Sequence, residues 1–151
     1  HLIRQPRLSD EEYRDQWLSV QYPASIFREG EPEIYTENGE RVRSKSEKMI
    51  ADRLYHLGIP YRYECPLYLN GLGEIFPDFT LLHVKQRREI ILEHFGLMDQ
   101  PDYIEKALHK IEIYEKNDYL PGKNLLITHE TSRRPLDMRN VDKLISQVFA
   151  L

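Results

Sequence analysis

The sequence has little of what marks the specialised protein classes. It holds one cysteine, Cys65, among 151 residues, so no disulfide can form within the chain and a disulfide-stapled scaffold is excluded. A reducing compartment, the cytoplasm, is the simpler expectation. No repeat, low-complexity tract or long Gly/Ser/Pro linker interrupts it, which speaks against repeat and linker architectures. No apolar run approaches the ~20 residues of a membrane span, and the charged start His1 to Arg7 does not read as a signal peptide. Excess positive charge is also missing: 25 acidic against 21 basic side chains give a net charge of −4. That argues against coating nucleic acid by bulk charge, yet allows a local basic groove beside an acidic centre. What is present is length. A chain of this size buries roughly 68–70% of its unfolded surface as one domain, without a structural metal. It begins with His rather than Met, which points to a domain cut from something longer.

Residues 1–43 read as an accessory segment and 44–151 as the core. Ser9 with Glu12 forms a capping-box pattern, and Tyr13, Trp17 and Val20 at helical spacing predict a short helix ended by Pro23. The run Ile34 to Val42 reads as a hairpin on the Asn38-Gly39 turn. Ile50, Ala51, Leu54 and Leu57 then predict an amphipathic helix over 45–57, stopped by Gly58. Strand-like runs follow at Tyr61 to Leu69, interrupted by Pro66, at Ile75 to Val84, and at Glu89 to Phe95, the last two separated by the turn 85–88. Pro101 opens a second helix through about Asn117, Leu125 to Thr128 is a short buried strand, and Val141 to Phe149 a closing helix. The order is that of a mixed α/β domain built on one central sheet.

The chemistry lies where acids fall in the two middle strands. With 85–88 as the turn, Val84 faces Glu89, Asp78 faces Phe95 and Thr80 faces Glu93. Asp78 and Glu93 are then diagonal neighbours on one face, roughly 7–8 Å apart at their backbones. A slip of one residue would put them on opposite faces. Both end strongly apolar runs, where a carboxylate is costly to desolvate unless paired or bound to metal. Two hard oxygen donors on a rigid hairpin suit Mg²⁺, which takes one or two carboxylates and keeps the rest of its shell as water and phosphate.

Glu47 is in phase with Ile50, Ala51 and Leu54, so it projects from the helix face that packs on the sheet. Ser44-Lys45-Ser46-Glu47 also fits a capping box, and the two roles are compatible. Lys110 shares a stripe with Tyr103, Ala107 and Tyr114. A lysine there commonly snorkels to water. Because this helix follows the strand bearing Glu93, its amine can instead reach back to the acids, orient an attacking water and stabilise phosphorane charge.

At these residues the sequence resembles the PD-(D/E)XK nuclease superfamily, over about Arg43 to Thr128. The resemblance rests on Glu47, on Pro77-Asp78 and on Ile91-Leu92-Glu93. It implies a restriction-endonuclease-like core, a central mixed four-stranded sheet flanked by helices, here with an N-terminal helix and hairpin extension. It also implies Mg²⁺-dependent hydrolysis of phosphodiester bonds, with Mn²⁺ as a substitute and DNA as the expected partner. Asp78, Glu93 and the backbone carbonyl of His94 would be the ligands. One departure matters: the family's lysine lies two residues after the Glu, where this chain has Phe95. The stretch Glu93 to Asp99, followed by Tyr103 and Lys110, is similar to a branch in which Glu-His replaces the usual strand ending and the lysine has moved to the next helix. Lys110 matches that position best, with Lys106 in reserve.

On this reading Asp78, Glu93, Lys110 and Glu47 are the catalytic set. Arg41, Arg43, Lys45 and Lys48, with Lys85, Arg87 and Arg88, are candidate phosphate contacts, though any one of them also suits a solvated surface. Tyr61, Tyr63 and Tyr68 are candidates for stacking on bases or for packing in a core. The His94 ring alternates to the face opposite Glu93 and reads as structural or substrate-contacting, and His83, His109 and His129 as structural. No segment reads as a recognition helix, so weak sequence preference is expected. Two other readings remain: a non-catalytic nucleic-acid-binding or assembly module that keeps the fold, motivated by the missing strand lysine, and a structural Ca²⁺ or capping arrangement in an unrelated α/β domain.

Overall fold

The computed structural model describes residues 7–150. Of the charged start His1 to Arg7, all but Arg7 lies outside the described residues. Helix α1 (Asp10–Ser19) begins on the expected capping box, with Ser9 Oγ accepting from Glu12 N–H at 3.1 Å and Glu12 Oε1 accepting from Ser9 N–H at 3.3 Å. It ends earlier than the pattern suggests, leaving Val20 exposed. A small hairpin follows, β1 (Ile34–Tyr35) and β2 (Arg41–Val42), with Gly39 in the left-handed region that its turn requires.

Helix α2 (Lys45–His56) buries Ile50, Ala51 and Leu54 as the 3.6-residue period dictates. The run expected as one strand from Tyr61 to Leu69 is two, in different sheets: β3 (Tyr61–Tyr63) and β4 (Leu67–Leu69). Glu64, left-handed at φ 49°, and Pro66 separate them. The expected strand Ile75 to Val84 is likewise broken, because Pro77 has no N–H for a ladder. Ile75 belongs to β5 (Gly73–Ile75), paired with β4, and the central strand β6 is only Phe79–His83. Gly71 at this small hairpin's turn has φ 102° and would place a Cβ 3.1 Å from Ile113, so a side chain there is opposed twice over.

Strand β7 (Arg88–Phe95) pairs antiparallel with β6. The pairing corrects the expected register by two residues: His83 faces Arg88 and Phe79 faces Leu92, closed by the turn 84–87. Arg87 decides this. Its guanidinium donates to Leu8 O at 2.6 Å and stacks 4.4 Å from the Tyr13 ring, and its backbone is left-handed, at φ 54°. A two-residue shift preserves faces. Continued one step, the ladder sets Asp78 directly across from Glu93 rather than diagonal to it.

Helix α3 (Pro101–Lys116) carries the chain over the sheet to β8 (Leu125–His129), parallel to β7, and α4 (Met138–Phe149), capped by Asp137, closes the chain. The mixed four-stranded sheet runs β3-β6-β7-β8. One face, with Phe79, Leu81, Ile90, Leu92 and Leu126, packs on α2 and α4. The other, with Ile91 and Leu125, packs on Ile113 and Tyr114 of α3 and on Leu69 of the small hairpin. Each fully buried aliphatic side chain stabilises this arrangement by roughly 1.5–3 kcal/mol. Among the described residues no helix is long and apolar enough to cross a membrane.

Candidate active site

Alternation along β7 sends Ile91, Glu93 and Phe95 toward α3, and Leu92 and His94 toward α2 and α4. Glu93 is 2% exposed, and both its oxygens are engaged. Lys110 Nζ donates to Oε2 at 3.0 Å and the Tyr114 hydroxyl to Oε1 at 2.8 Å. The two donors sit at i and i+4 of α3, one above the other on the same face. The structure thus brings Lys110, rather than Lys106, onto Glu93.

Asp78 stands between the Pro77 break and the first residue of β6, with its carbonyl accepting from Glu64 N–H at 3.1 Å. Its Oδ2 accepts from His94 N–H at 2.7 Å. Because the N–H and C=O of one strand residue point the same way, the His94 carbonyl is directed to this side as well. Burial, and then the Glu93 charge beside it, push the Asp78 carboxyl well above the ordinary carboxylate range against the opposing His94 N–H bond. Burial also raises Glu93, against the pull of Lys110 and Tyr114. Asp78, Glu93, Phe95, Tyr103, Lys106 and Lys110 line an open recess of about 240 Å³. The Tyr103 hydroxyl accepts from Gly96 N–H at 3.0 Å, which holds the strand end against α3.

The His94 ring is clamped on the far face. Its Nδ1 lies 2.7 Å from Thr128 Oγ1 and its Nε2 2.7 Å from Glu130 Oε1, and Ser46 Oγ donates to the same Glu130 oxygen. The ring thereby ties β7, the end of β8 and the start of α2 together, and its backbone holds Asp78.

Glu47 is buried, as its phase predicts, and lies near enough for its charge to act on Asp78. Only half of the expected capping box forms. Ser44 Oγ accepts from Glu47 N–H at 3.1 Å, but the Glu47 carboxylate passes over Ser44 to accept from Arg43 N–H and the Tyr63 hydroxyl, each at 2.8 Å. Tyr63, deep in the core, offers a neutral donor that an exposed cap lacks.

The basic residues fall into three groups. Arg43 donates to Glu64 Oε2 at 2.7 Å and to Glu31 at 3.2 Å, and stacks on Phe27; Arg41 stacks on the same ring and donates to Glu31 O and Pro32 O. Lys48 pairs with Asp52 at 2.9 Å, while Lys45 is exposed at the start of α2. Lys85, Arg87 and Arg88 sit at the turn end of the β6–β7 hairpin, a strand's length from Asp78 and Glu93, and Arg88 donates to Lys123 O. The structure does not bring this last group to the recess. Of the tyrosines, Tyr61 hydrogen-bonds Glu40 and packs edge-on against Phe79, whereas Tyr68 is 71% exposed.

Tyr114 is the residue that sequence reasoning passed over, having placed it on an apolar stripe. Its position four residues after Lys110 was the available signal, since a buried tyrosine hydroxyl needs a partner.

Among the described residues no group of three His, Cys, Asp or Glu side chains forms a ready-made metal cage. The acidic groups lining the recess are the two carboxylates of Asp78 and Glu93, hard oxygen donors that suit Mg²⁺ better than a soft metal. No family model matches the chain. It is 35% identical over 88 residues to an uncharacterized protein of Methanocaldococcus jannaschii, a match covering 58% of this chain and 7% of that protein. The chain therefore spans a small fraction of the length of the relative it matches.

Proposed function

We propose that the chain is a metal-dependent nuclease that hydrolyses phosphodiester bonds in DNA. The observation that carries this reading is the Lys110 amine 3.0 Å from Glu93, on the helix following the Glu93 strand, with Asp78 beside it. A restriction-endonuclease-like fold is supported by three antiparallel strands joined through a helix to a parallel fourth. Asp78, Glu93 and the His94 carbonyl would hold Mg²⁺, with Mn²⁺ able to substitute; two adjacent buried acids with one ammonium, bonded to Glu93, leave negative charge for a cation to neutralise. When bound, the ion polarises the scissile phosphate and lowers the pKa of an attacking water.

The protein's own groups do the rest. Tyr114 and Lys110 fix the Glu93 carboxylate, the His94 N–H fixes Asp78, and the Lys110 ammonium stabilises charge developing on the phosphorane oxygens. Glu47 orders the end of β3 beside Asp78, and its charge adds to the negative field around Asp78. Lys106, which lines the recess, and Lys45, exposed at the start of α2, are the candidate phosphate contacts. The unpaired Cys65 supports a reducing compartment, the cytoplasm, as the location.

The test is cleavage of labelled single-stranded, duplex and branched DNA with Mg²⁺ or Mn²⁺, for the wild type and for Asp78→Ala, Glu93→Ala and Lys110→Ala. Metal-dependent cutting lost in all three variants is the expected result; cutting that survives Asp78→Ala overturns it. A second reading, a nucleic-acid-binding module without turnover, is favoured by one observation: both Glu93 oxygens already have protein donors. It predicts binding without cutting.

A further inference from the structure

A second recess, of about 350 Å³, lies beside the acids and has no part in the reading above. Pro23, Ala24 and Ile26 form one wall, Phe76 another, and the Arg43–Glu64 pair the polar edge. Its walls are bonded to the candidate site at three points. Glu64 N–H donates to Asp78 O at 3.1 Å, Arg43 N–H donates to Glu47 Oε1 at 2.8 Å, and Phe76 is two residues, at most about 7 Å of chain, before Asp78.

The recess is bounded by a network of contacts around Glu64 and Arg43. Glu64 sits at φ 49°, a strained conformation for a residue other than glycine, of the kind that clusters at functional sites. Arg43 grips both Glu64 oxygens, at 2.7 and 3.1 Å, donates to Ile26 O at 2.9 Å and stacks 4.5 Å from the Phe27 ring, which fixes the 23–27 strap. Yet the apolar walls stay open, with Phe76 51% and Ile26 84% exposed. An exposed phenyl face, a second apolar wall and a hydrogen-bonding edge make a slot for a flat ring with a polar rim.

We infer that this recess receives an unpaired nucleobase of the nucleotide next to the scissile phosphate, so that the substrate is single-stranded or locally unpaired DNA. The inference rests on the nuclease reading and names its substrate class. Bases in a duplex are stacked on both sides and enter such a slot only by flipping out, at an energetic cost that a single strand does not bear. Stacking of a base on one aromatic side chain is tolerant of sequence, in keeping with the absence of a recognition helix.

The experiment uses the 151-residue chain with Ca²⁺ for binding and Mn²⁺ for cutting, on three probes: a single strand, the same strand with abasic positions, and the blunt duplex. Expected are binding to the single strand at least roughly tenfold tighter than to the abasic strand or the duplex, and collapse of that ratio toward one in Phe76→Ala. Phe76→Tyr restores the ratio, and Tyr55→Ala, a half-exposed tyrosine on α2 outside this recess, leaves it intact. Phe76 is half exposed, so the variants fold, as thermal melting will verify. Equal binding of normal and abasic strands, or a ratio that Phe76→Ala does not change, overturns the nucleobase and leaves the slot to an apolar group of another partner, while cutting by the wild type still upholds the nuclease. Selective binding without cutting upholds the slot and sinks the nuclease; no DNA binding at all sinks both.

Discussion

Two buried glutamates, Glu47 and Glu93, make nearly the same first contact and differ in everything after it. Each accepts a hydrogen bond of 2.8 Å from a tyrosine hydroxyl in the interior, Tyr63 for Glu47 and Tyr114 for Glu93. Glu47 completes its set with the Arg43 backbone N–H, a neutral donor fixed where the chain enters α2. Its bonds join a hairpin, a helix start and an edge strand, which is structural work. Glu93 takes a lysine as its other partner and has Asp78 for a neighbour. Burying one carboxylate is tolerable when donors surround it, but burying two together is opposed by desolvation and by their mutual repulsion. A fold that keeps such a pair beside an open recess has an arrangement that stability alone does not call for.

The comparison breaks first at the lysine. Lys110→Ala is expected to lower metal-dependent cutting roughly 10²–10³-fold, the usual loss when one donor to developing charge is removed. Single-turnover cleavage measures it, and a loss no greater than that in Lys48→Ala would make Lys110 a structural counter-ion. Next comes stability. Glu47→Ala leaves the buried Tyr63 hydroxyl without its acceptor and the Arg43 N–H with only its 3.2 Å bond to the Tyr63 oxygen, and should destabilise the chain by about 1–3 kcal/mol in urea unfolding, whereas Glu47→Gln retains one amide oxygen and should lose less. In cutting, Glu93→Gln should be the more damaging of the two glutamine variants.

A pH series sharpens the same contrast. Asp78 and Glu93 are held above the ordinary carboxylate range by burial, Asp78 also by its neighbour, so each binds its proton more tightly in the folded chain than in the unfolded one. The stability this gives is fully present below the unfolded values, near pH 4, and is lost as pH rises through the folded values. Without metal, wild type should therefore lose melting temperature relative to Asp78→Asn on going from about pH 4 to 8, and Mg²⁺ should narrow the gap. A pH-independent difference would remove the repulsion from the account. The smallest effect concerns the surface. Lys45→Ala should reduce the salt dependence of DNA binding by about one unit of slope, and Lys85→Ala, at the far end of the hairpin, should leave it unchanged.

Much of this was readable from spacing. The apolar phase of Ile50, Ala51 and Leu54, the Pro101 helix start and the capping box at Ser9 are local, since each depends on residues within one or two turns. The same holds for Lys110 and Glu47, whose directions follow from helical phase. The strand breaks at Glu64 and Pro77 were harder, because an apolar run reads alike whether it forms one strand or turns a corner into a second sheet.

The pairing of Asp78 with Glu93 shows the division most clearly. That the two acids share a face follows from the alternation of side chains along each strand, and it holds for any register shift by two. That they stand directly opposite follows from a turn at 84–87, whose Arg87 bonds Leu8 and stacks on Tyr13, a contact across 79 residues that no local pattern contains. The partners of Glu93 on α3, the clamp of Glu130 and Ser46 on His94, and the diversion of Glu47 from its cap to Tyr63 have the same origin. Periodicity sets which way a side chain points. Its partner is chosen only when distant segments pack and a buried polar group must find a donor or acceptor within reach.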